Sequence, residues 1–430
     1  MSKSNKRAVL AGILFLSSLP LLAVTNQFRG VNWADTRDNF QTGVLYLSGL
    51  SSTDTYSSAS ITADRIISQF MSKLGTNGVR MPINEATVSN YWATYTGAID
   101  AALSKGKVVL CYWSKSSGAK PADINAFWKM WKTVSEKYAN NPNCYFEIFN
   151  EPSGYNKTDL CNLYDNWLKN NSSVPKARVI LDGSGLAMNV PDVGSDSRFN
   201  GCFLAVHEYS FFGSSSSTKE SDWENQIKGF VGNYADRTIC TEWGGPMSPG
   251  SKNGISYSYL DYSKSPTNYF EAYVRGVSNQ LRSWKMGSFY WPGLRDGDWY
   301  SMTQKSGSGS AITLSIPNQS GLDRMKYSWT DTISTPVITT AVKAEPRSDL
   351  MVSRSGGALK ITFTASRRGG ALLKIFGPNG SVVKTIPLRT GTGSVCSCVL
   401  NVAGMPNGVY LVSLEKEGRA FDRSKVLLIR

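Results

Sequence analysis

Eight short apolar segments recur between residues 28 and 293, each about as long as one β-strand. They are FRGVNW (28–33), GVRMPI (78–83), KVVLCYW (107–113), CYFEIFN (144–150), RVILDG (178–183), CFLAVHEY (202–209), TICTEW (238–243) and GSFYWPG (287–293). Amphipathic segments of helical length separate most of them. Strands that alternate with helices predict a parallel sheet, because each return crossover needs a helix. Eight such units predict a closed (β/α)8 barrel.

The intervening segments predict helices of ordinary length. Five are clear, namely ITADRIISQFMSKLG (61–75), YTGAIDAALSKG (95–106), PADINAFWKMWKTVSEKYANN (121–141), LCNLYDNWLKNN (160–171) and YFEAYVRGVSNQLRSWK (269–285). The first two end on glycine, as helices often do. The segment after the fifth strand has the weakest helical pattern. In a (β/α)8 barrel the functional side chains lie at the carboxyl ends of the strands.

The chain of 430 residues is too long for one ordinary domain. We predict a signal peptide over residues 1–25, a barrel over 26–332, a linker over 333–346 and a small β-sandwich domain over 347–430. The linker is rich in Thr and Pro. Beyond it, alternating runs such as LKITFTA (359–365) and the turn signal FGPNG predict an all-β domain.

The leader has the composition of a secretory signal peptide. The basic segment MSKSNKR precedes the apolar segment AVLAGILFLSSLPLLA, and Ala23 is a suitable small residue before a cleavage site. A retained membrane anchor is the alternative. Ser17, Ser18 and Pro20 interrupt the apolar segment, however, and it is short for spanning a bilayer. We therefore expect an exported protein, either secreted or attached to the cell surface.

The formal net charge of +14 is unevenly distributed. The leader contributes +3 and residues 341–430 contribute +9, so the large middle region carries only +2. A nearly neutral barrel does not have the electrostatic footprint of a nucleic-acid-binding protein. The basic terminal region could contact an acidic surface, or it could simply be a solvated charged face.

The cysteines and the single histidine exclude some kinds of site. Export permits disulfides, but the number of cysteines, seven, is odd, so at least one has no partner within the chain. One histidine and no Cys-x-x-Cys pair give a zinc site little support. We predict neither a metal nor an organic cofactor.

Polar and aromatic side chains end five of the predicted strands. They are Arg80 in the second strand, Asn150 and Glu151 in the fourth, His207 and Tyr209 in the sixth, Glu242 in the seventh and Trp291 in the eighth. In a barrel these groups should converge on one mouth. Two facing carboxyl groups suit hydrolysis of a glycosidic bond, since one can donate a proton to the departing sugar oxygen while the other attacks. A neighbouring Arg80 would keep one of them ionised.

These motifs, taken in order, resemble those of glycoside hydrolase family 5, the cellulase-like branch of retaining (β/α)8 glycosidases. The resemblance covers roughly residues 27–332 and rests on Arg80 in GVRMP, Asn150-Glu151-Pro152, His207-x-Tyr209, Glu242 in TEWGG and Trp291 in FYWPG. It implies that Glu151 is the acid/base and Glu242 is the nucleophile. It also implies that Arg80 and Tyr209 bond to the nucleophile and that His207 lies near the acid/base.

One position departs from the family pattern. The family often has a histidine at the end of the third strand, where this chain reads CYW (111–113). A tryptophan there would enlarge the stacking surface and remove a hydrogen-bond donor, which bears on substrate preference more than on catalysis. Asn150 could hold a sugar hydroxyl, and we predict that Trp33, Trp113, Trp243 and Trp291 bind sugar rings.

Some of the proposed site residues could instead have a purely structural role. Glu151 could be a residue at a helix N-terminus, and Arg80 and His207 could be paired core residues. Two further glutamates, Glu147 and Glu208, are predicted to face away from the barrel interior, toward the helices or a partner, and not to be catalytic.

The last segment, GVYLVSLEKEGRAFDRSKVLLIR, resembles the carboxy-terminal sorting domains of type IX secretion. The shared features are a Gly-x-Tyr strand and a basic strand at the end. The resemblance implies contact with secretion or surface-attachment machinery. A carbohydrate-binding sandwich and a structural cap are the alternatives.

The sequence thus predicts a secreted endo-β-1,4-glucanase, monomeric, that hydrolyses plant cell-wall polysaccharide by retaining double displacement. Mannan, xyloglucan or mixed-linkage glucan would use the same machinery. A non-catalytic polysaccharide-binding surface protein is the alternative from another class. Retention predicts carboxyl groups about 5–5.5 Å apart, whereas a separation near 9 Å would indicate inversion.

Overall fold

The structure is a computed structural model. It describes residues 25–115, 119–329, 351–355, 358–364, 369–377, 382–390, 395–401, 408–416 and 419–428. The chain divides into two compact units, Met1–Thr335 and Pro336–Arg430. The predicted linker and the leader up to residue 24 lie outside the described residues. Within the described part of the chain, no helix combines the length and the apolar character needed to cross a bilayer.

The first unit is a closed parallel barrel of eight strands, which confirms the predicted fold class. Its strands are β1 (Arg29–Trp33), β2 (Gly78–Ile83), β3 (Lys107–Tyr112), β4 (Cys144–Glu147), β5 (Val179–Asp182), β6 (Phe203–Glu208), β7 (Thr238–Trp243) and β10 (Ser288–Leu294). Each strand pairs with its neighbour in sequence, and β10 closes the barrel by pairing with both β7 and β1.

Helices cover the outside of the barrel. They are α1 (Tyr56–Gln69), α2 (Glu85–Asn90), α3 (Trp92–Lys105), α4 (Ile124–Tyr138), α5 (Lys157–Asn170), α6 (Ser184–Ala187), α7 (Val190–Gly194), α8 (Glu220–Val231), α9 (Tyr269–Trp284) and α10 (Gln319–Ser328). A π-helical turn, Phe70–Leu74, extends α1. The weak pattern after the fifth strand corresponds to α6 and α7, which are only four and five residues long.

Asparagine side chains open four of these helices. Asn84, Asn156, Asn268 and Asn318 each accept a hydrogen bond from the backbone N–H three residues later. Each such cap satisfies one of the donors that a helix start leaves unpaired and stabilises the helix by about 1 kcal/mol.

The strand alternation builds two layers inside the barrel. Near the strand starts, an apolar cluster comprises Phe28, Val109, Tyr145, Ile180, Phe203, Ala205, Ile239 and Phe289. Two residues further along five of these strands lie Cys111, Glu147, Asp182, His207 and Thr241, all fully buried. Successive inward positions are two residues apart, so both sets face the interior. The barrel therefore has an apolar floor with a polar layer above it.

Several elements extend the predicted scheme. Two short hairpins follow barrel strands, β8 (Gly250–Lys252) with β9 (Ile255–Tyr257) and β11 (Gln304–Ser306) with β12 (Thr313–Ser315). Thr25 is buried and accepts hydrogen bonds from the backbone N–H groups of Phe28 (2.9 Å) and Gly287 (3.1 Å). Thr25 therefore packs against the first and last strands at the start of the barrel.

The second unit contains two small antiparallel sheets. Strands β13 (Met351–Ser355), β14 (Ala358–Thr364) and β17 (Val395–Asn401) form one of them. The other contains β15 (Gly369–Phe376), β16 (Val382–Thr390), β18 (Gly408–Lys416) and β19 (Arg419–Leu428). The all-β character agrees with the alternating sequence pattern.

Candidate active site

Glu242 lies on β7 with both carboxylate oxygens hydrogen-bonded. Arg80 donates to Oε1 through Nη1 at 2.5 Å, and the Tyr209 hydroxyl donates to Oε2 at 2.7 Å. The side chain is 2% exposed. A carboxyl group whose two oxygens both accept hydrogen bonds has the surroundings of an ionised carboxylate.

An irregularity in β7 aims Glu242 into the barrel. The pairing with β6 shifts by one residue between Val206–Cys240 and His207–Glu242, and the pairing with β10 shifts at the same place. The extra residue, a β-bulge, lets two consecutive side chains, Thr241 and Glu242, face inward. Trp243 consequently points outward.

Glu151 follows β4 at a sharp turn of the backbone. Its φ angle of 48° lies in the left-handed region, which non-glycine residues seldom adopt. Its backbone N–H donates to Asp182 Oδ2 at 2.9 Å, and its Oε1 lies 3.0 Å from His207 Nδ1. The side chain is 9% exposed. The turn thus ends the strand and points the carboxyl group at the mouth of the barrel.

The two glutamates lie close together at one opening. A carboxylate oxygen of Glu151 and one of Glu242 lie within 4.8 Å of each other, with a His207 nitrogen inside the same radius. Both glutamates line a cavity of about 340 Å³ at the barrel mouth, which we call the mouth cavity. The structure therefore brings together side chains that are separated by 91 positions in the sequence.

Arg80 organises the polar layer beneath the glutamates. Besides Glu242, it binds Glu147 through two hydrogen bonds of 2.6 and 2.9 Å, and it donates to the side-chain oxygens of Asn150 (2.7 Å) and Asn32 (2.8 Å). The guanidinium is 1% exposed. A buried, fully bonded cation of this kind fixes the positions of its partners.

Glu147 corrects an expectation from the sequence. It was predicted to face away from the interior, but it is fully buried inside the barrel and ion-paired with Arg80. The prediction took the apolar residues beside Glu147 as the inward-facing ones, whereas Phe146 packs against Trp131 and Trp167 of the surrounding helices and Glu147 faces the interior. Glu208 does lie outside the barrel, where it accepts a hydrogen bond from Gln226 on α8.

The polar layer contains three carboxyl groups with shifted pKa values. Burial raises the pKa of Glu242, although the charge of Arg80 and the Tyr209 hydrogen bond oppose that shift. At Glu147 burial is the largest influence, but the charge and hydrogen bonds of Arg80 outweigh it and lower the pKa. Burial, followed by the charge of Glu147, raises the pKa of Asp182 well above its usual range. These influences favour the neutral form of Asp182, whose Oδ2 accepts the hydrogen bond from the Glu151 backbone N–H.

Aromatic rings form much of the wall of the mouth cavity. They belong to Phe40, Trp113, Tyr209, Phe211, Phe212, Trp291, Trp299 and Tyr300. Trp113 and Trp291 stack with ring centroids 5.4 Å apart, and Phe40 packs on Trp113 at 4.5 Å. Trp113 therefore backs Trp291 within the wall. The sequence predicted that a hydrogen-bond donor is lost at this position. The indole Nε1–H of Trp113 is itself a donor, and it has no hydrogen-bond partner among the described residues.

The prediction that Trp33 and Trp243 bind sugar rings is wrong. Trp33 is fully buried and donates its Nε1–H to the Ser48 carbonyl at 2.9 Å. Trp243 is also fully buried and packs edge-on against Tyr290. Both face the helices, because their inward-facing neighbours on the strands are Asn32 and Glu242.

Sequence reasoning also missed several residues of the site. Asn32, next to Trp33, holds Arg80 from β1. Phe211 and Trp299 line the mouth cavity from loops, and Phe211 is 55% exposed and stacks on Tyr209. The FF pair that follows His-x-Tyr after one serine was the available signal for Phe211. Loop residues such as Trp299 have no periodic pattern that could locate them.

The acidic groups in this layer are poorly suited to bind a metal ion. Among the described residues, two sets of donor atoms lie close together, Glu147 with Asp182 and His207, and Glu151 with His207 and Glu242. Arg80 already binds the carboxylates of Glu147 and Glu242, so a second cation there would face a fixed positive charge.

A (β/α)8 barrel with paired glutamates and aromatic walls at its mouth defines the class of this protein as a glycoside hydrolase. The family described as cellulase (glycosyl hydrolase family 5) matches residues 38–278, more than half of the chain. The chain belongs to that family. A comparison with the curated proteins finds no match.

Several solved structures are similar in fold. An endo-beta-1,4-glucanase from Xanthomonas axonopodis pv. citri shares 13% identity, with 70% of this chain and 99% of that chain covered and a TM-score of 0.47. The endoglucanase Cel5A of Pseudomonas stutzeri shares 13% identity, with 71% and 95% covered and a TM-score of 0.46. The catalytic domain of Thermobifida fusca endoglucanase Cel5A, solved with cellotetraose, shares 13% identity, with 71% and 92% covered and a TM-score of 0.45.

Proposed function

We propose that the protein is an exported endo-β-1,4-glucanase that acts by retaining double displacement. The observation that carries the mechanism is the close approach of Glu151 and Glu242, whose oxygens come within 4.8 Å. Retaining enzymes need such proximity because one carboxylate must reach the anomeric carbon, whereas inverting enzymes leave room for a water molecule.

In the first step Glu242 attacks the anomeric carbon and Glu151 gives its proton to the departing glycosidic oxygen. The bond from the sugar to Glu242 forms as the glycosidic bond breaks. In the second step Glu151 removes a proton from water, which attacks the same carbon and releases Glu242. Arg80 and Tyr209 hold the Glu242 carboxylate in place throughout.

Asn150 is suited to hold the sugar in the reacting position. Its Oδ1 accepts a hydrogen bond from Arg80, while its Nδ2 is buried and has no partner among the described residues. A buried donor without a partner is costly unless a ligand accepts its hydrogen bond. A hydroxyl of the bound sugar is the acceptor that this site would supply.

The shape of the surface supports a polymeric substrate. A cavity of about 470 Å³ adjoins the mouth cavity, and a third cavity of about 510 Å³ adjoins the second. The second shares Arg295, Asp298 and Trp299 with the mouth cavity, and the third shares Asp296 and Lys305 with the second. A groove that continues beyond the reacting sugar favours cleavage within a chain over removal of terminal units.

A panel of soluble polysaccharides tests this function. Purified protein should release reducing ends from carboxymethylcellulose and yield short cello-oligosaccharides, with slower release from mannan and xyloglucan. Preference for mannan would move the assignment to a β-mannanase. Binding without any release from every polysaccharide would overturn the enzymatic proposal in favour of a polysaccharide-binding surface protein.

For the second unit we propose a sorting or surface-attachment role. The support is its sequence resemblance to type IX sorting domains, with the Gly408-x-Tyr410 motif at the start of β18 and β19 as the last strand. A chain ending at residue 340 should keep its glycanase activity but accumulate in a different compartment. Unchanged location would leave a carbohydrate-binding or structural role for these sheets.

A further inference from the structure

The hydroxyl group of Thr241 lies between His207 and Glu147 in the polar layer. Thr241 Oγ1 is 3.1 Å from Glu147 Oε1 and 3.0 Å from His207 Nε2. On the other side of the ring, His207 Nδ1 is 3.0 Å from Glu151 Oε1. A continuous line of hydrogen bonds therefore joins the buried Arg80–Glu147 ion pair to the proposed acid/base.

The direction of these hydrogen bonds follows from the available protons. Glu147 binds Arg80 through both oxygens and acts as an acceptor. The Thr241 hydroxyl has one hydrogen, which it donates to Glu147. Thr241 Oγ1 must then accept from His207, so the ring carries its proton on Nε2.

This tautomer determines whether His207 donates a hydrogen bond to Glu151 or accepts one from it. In the neutral ring, Nδ1 has no proton and accepts a hydrogen bond from the protonated carboxyl group of Glu151. The acid form of Glu151 is the form that must donate to the glycosidic oxygen. The opposite tautomer would donate from Nδ1 and favour the ionised form instead.

Other charged groups around His207 cannot replace Thr241 without movement. Asp182 Oδ2 lies 3.8 Å from Nε2 and Glu147 Oε1 lies 4.0 Å from it, while Glu242 Oε2 lies 3.7 Å from Nδ1. All three distances exceed that of a normal hydrogen bond. Arg80 is ion-paired with Glu147 and Glu242, so its charge acts on the His207 ring through these two carboxylates.

We infer that Thr241 is a positioning residue for proton donation, which it serves by fixing the Nε2–H tautomer of His207 and so favouring the acid form of Glu151. This inference rests on the proposed role of Glu151. The β-bulge of β7 is what makes the arrangement possible, because it turns both Thr241 and Glu242 into the barrel.

Thr241→Val tests the inference, because it keeps the shape of the side chain and removes the hydroxyl. Loss of the relay should lower kcat/KM on a cello-oligosaccharide about tenfold. The high-pH limb of the rate profile should move to lower pH, since the ionised form of Glu151 becomes easier to populate. A dinitrophenyl cellobioside, whose leaving group needs little protonation, should be affected much less.

Thr241→Ser is the matched control, because it keeps the hydroxyl and should restore the wild-type profile. The relay would be overturned if Thr241→Val lost kcat/KM equally on both substrates and its high-pH limb did not shift. It would also be overturned if Thr241→Ser and Thr241→Val gave the same rates and the same pH profile. If Thr241→Val does not fold, Thr241→Ala is measured in the same two assays. A wild-type protein inactive on both substrates would instead overturn the proposed function.

Discussion

Glu242→Ala is expected to reduce turnover of β-glucan on the order of 10⁵-fold, because it removes the group that forms the covalent intermediate. Affinity for cello-oligosaccharides and the temperature of unfolding should change little, since Arg80 keeps its ion pair with Glu147. The measurements are initial rates on a soluble glucan and binding by calorimetry. Glu136→Ala, at an exposed position on α4, is the matched control and should keep full activity.

Azide distinguishes the two proposed roles on an activated aryl cellobioside. With Glu242→Ala, azide takes the place of the nucleophile and should give an α-glycosyl azide. With Glu151→Ala, the covalent intermediate still forms and azide attacks it, which should give a β-glycosyl azide. Wild-type turnover in Glu242→Ala, or exchanged products between the two variants, would show that the roles are assigned wrongly.

Glu147→Gln is expected to lower the free energy of unfolding by about 3–5 kcal/mol, because it removes the carboxylate that Arg80 binds through two buried hydrogen bonds and leaves Glu242 as the only ionic partner of Arg80 among the described residues. Chemical unfolding followed by tryptophan fluorescence measures this change. The control is Glu136→Gln. The exposed ion pair of Glu136 with Lys132 should contribute less than about 1 kcal/mol to the free energy of unfolding.

The stability difference should also depend on pH. The folded protein lowers the pKa of Glu147, so its stabilising contribution is present above the unfolded pKa and is lost as pH falls through the folded one. The difference in the free energy of unfolding between wild type and Glu147→Gln should therefore become smaller below about pH 4. Equal stability of Glu147→Gln and Glu136→Gln at neutral pH would contradict the proposed importance of the ion pair.

Period-two alternation and the positions of the strand ends were enough to predict the barrel and the cluster at its mouth. Arg80, Glu151, His207, Tyr209 and Glu242 converge there, as their places at strand ends indicated. This worked because parallel strands of a barrel all open on one face.

Local breaks in regularity account for what the sequence did not reveal. The bulge at Thr241 changes which residues of β7 face inward, so Trp243 was assigned to the wrong side. A bulge depends on how three strands pair and has no signature in one strand's residues.

Trapping of the covalent intermediate tests the central claim most directly. A 2-deoxy-2-fluoro-β-cellobiosyl fluoride reacts through a good leaving group, and its fluorine at C2 slows hydrolysis of the intermediate, so the sugar should remain on the enzyme. Mass spectrometry of the wild-type protein should show one added 2-deoxy-2-fluorocellobiosyl group per chain, with the label on the peptide that contains Glu242. A label on Glu151 or another residue, or turnover with inverted stereochemistry and no label, would contradict the account.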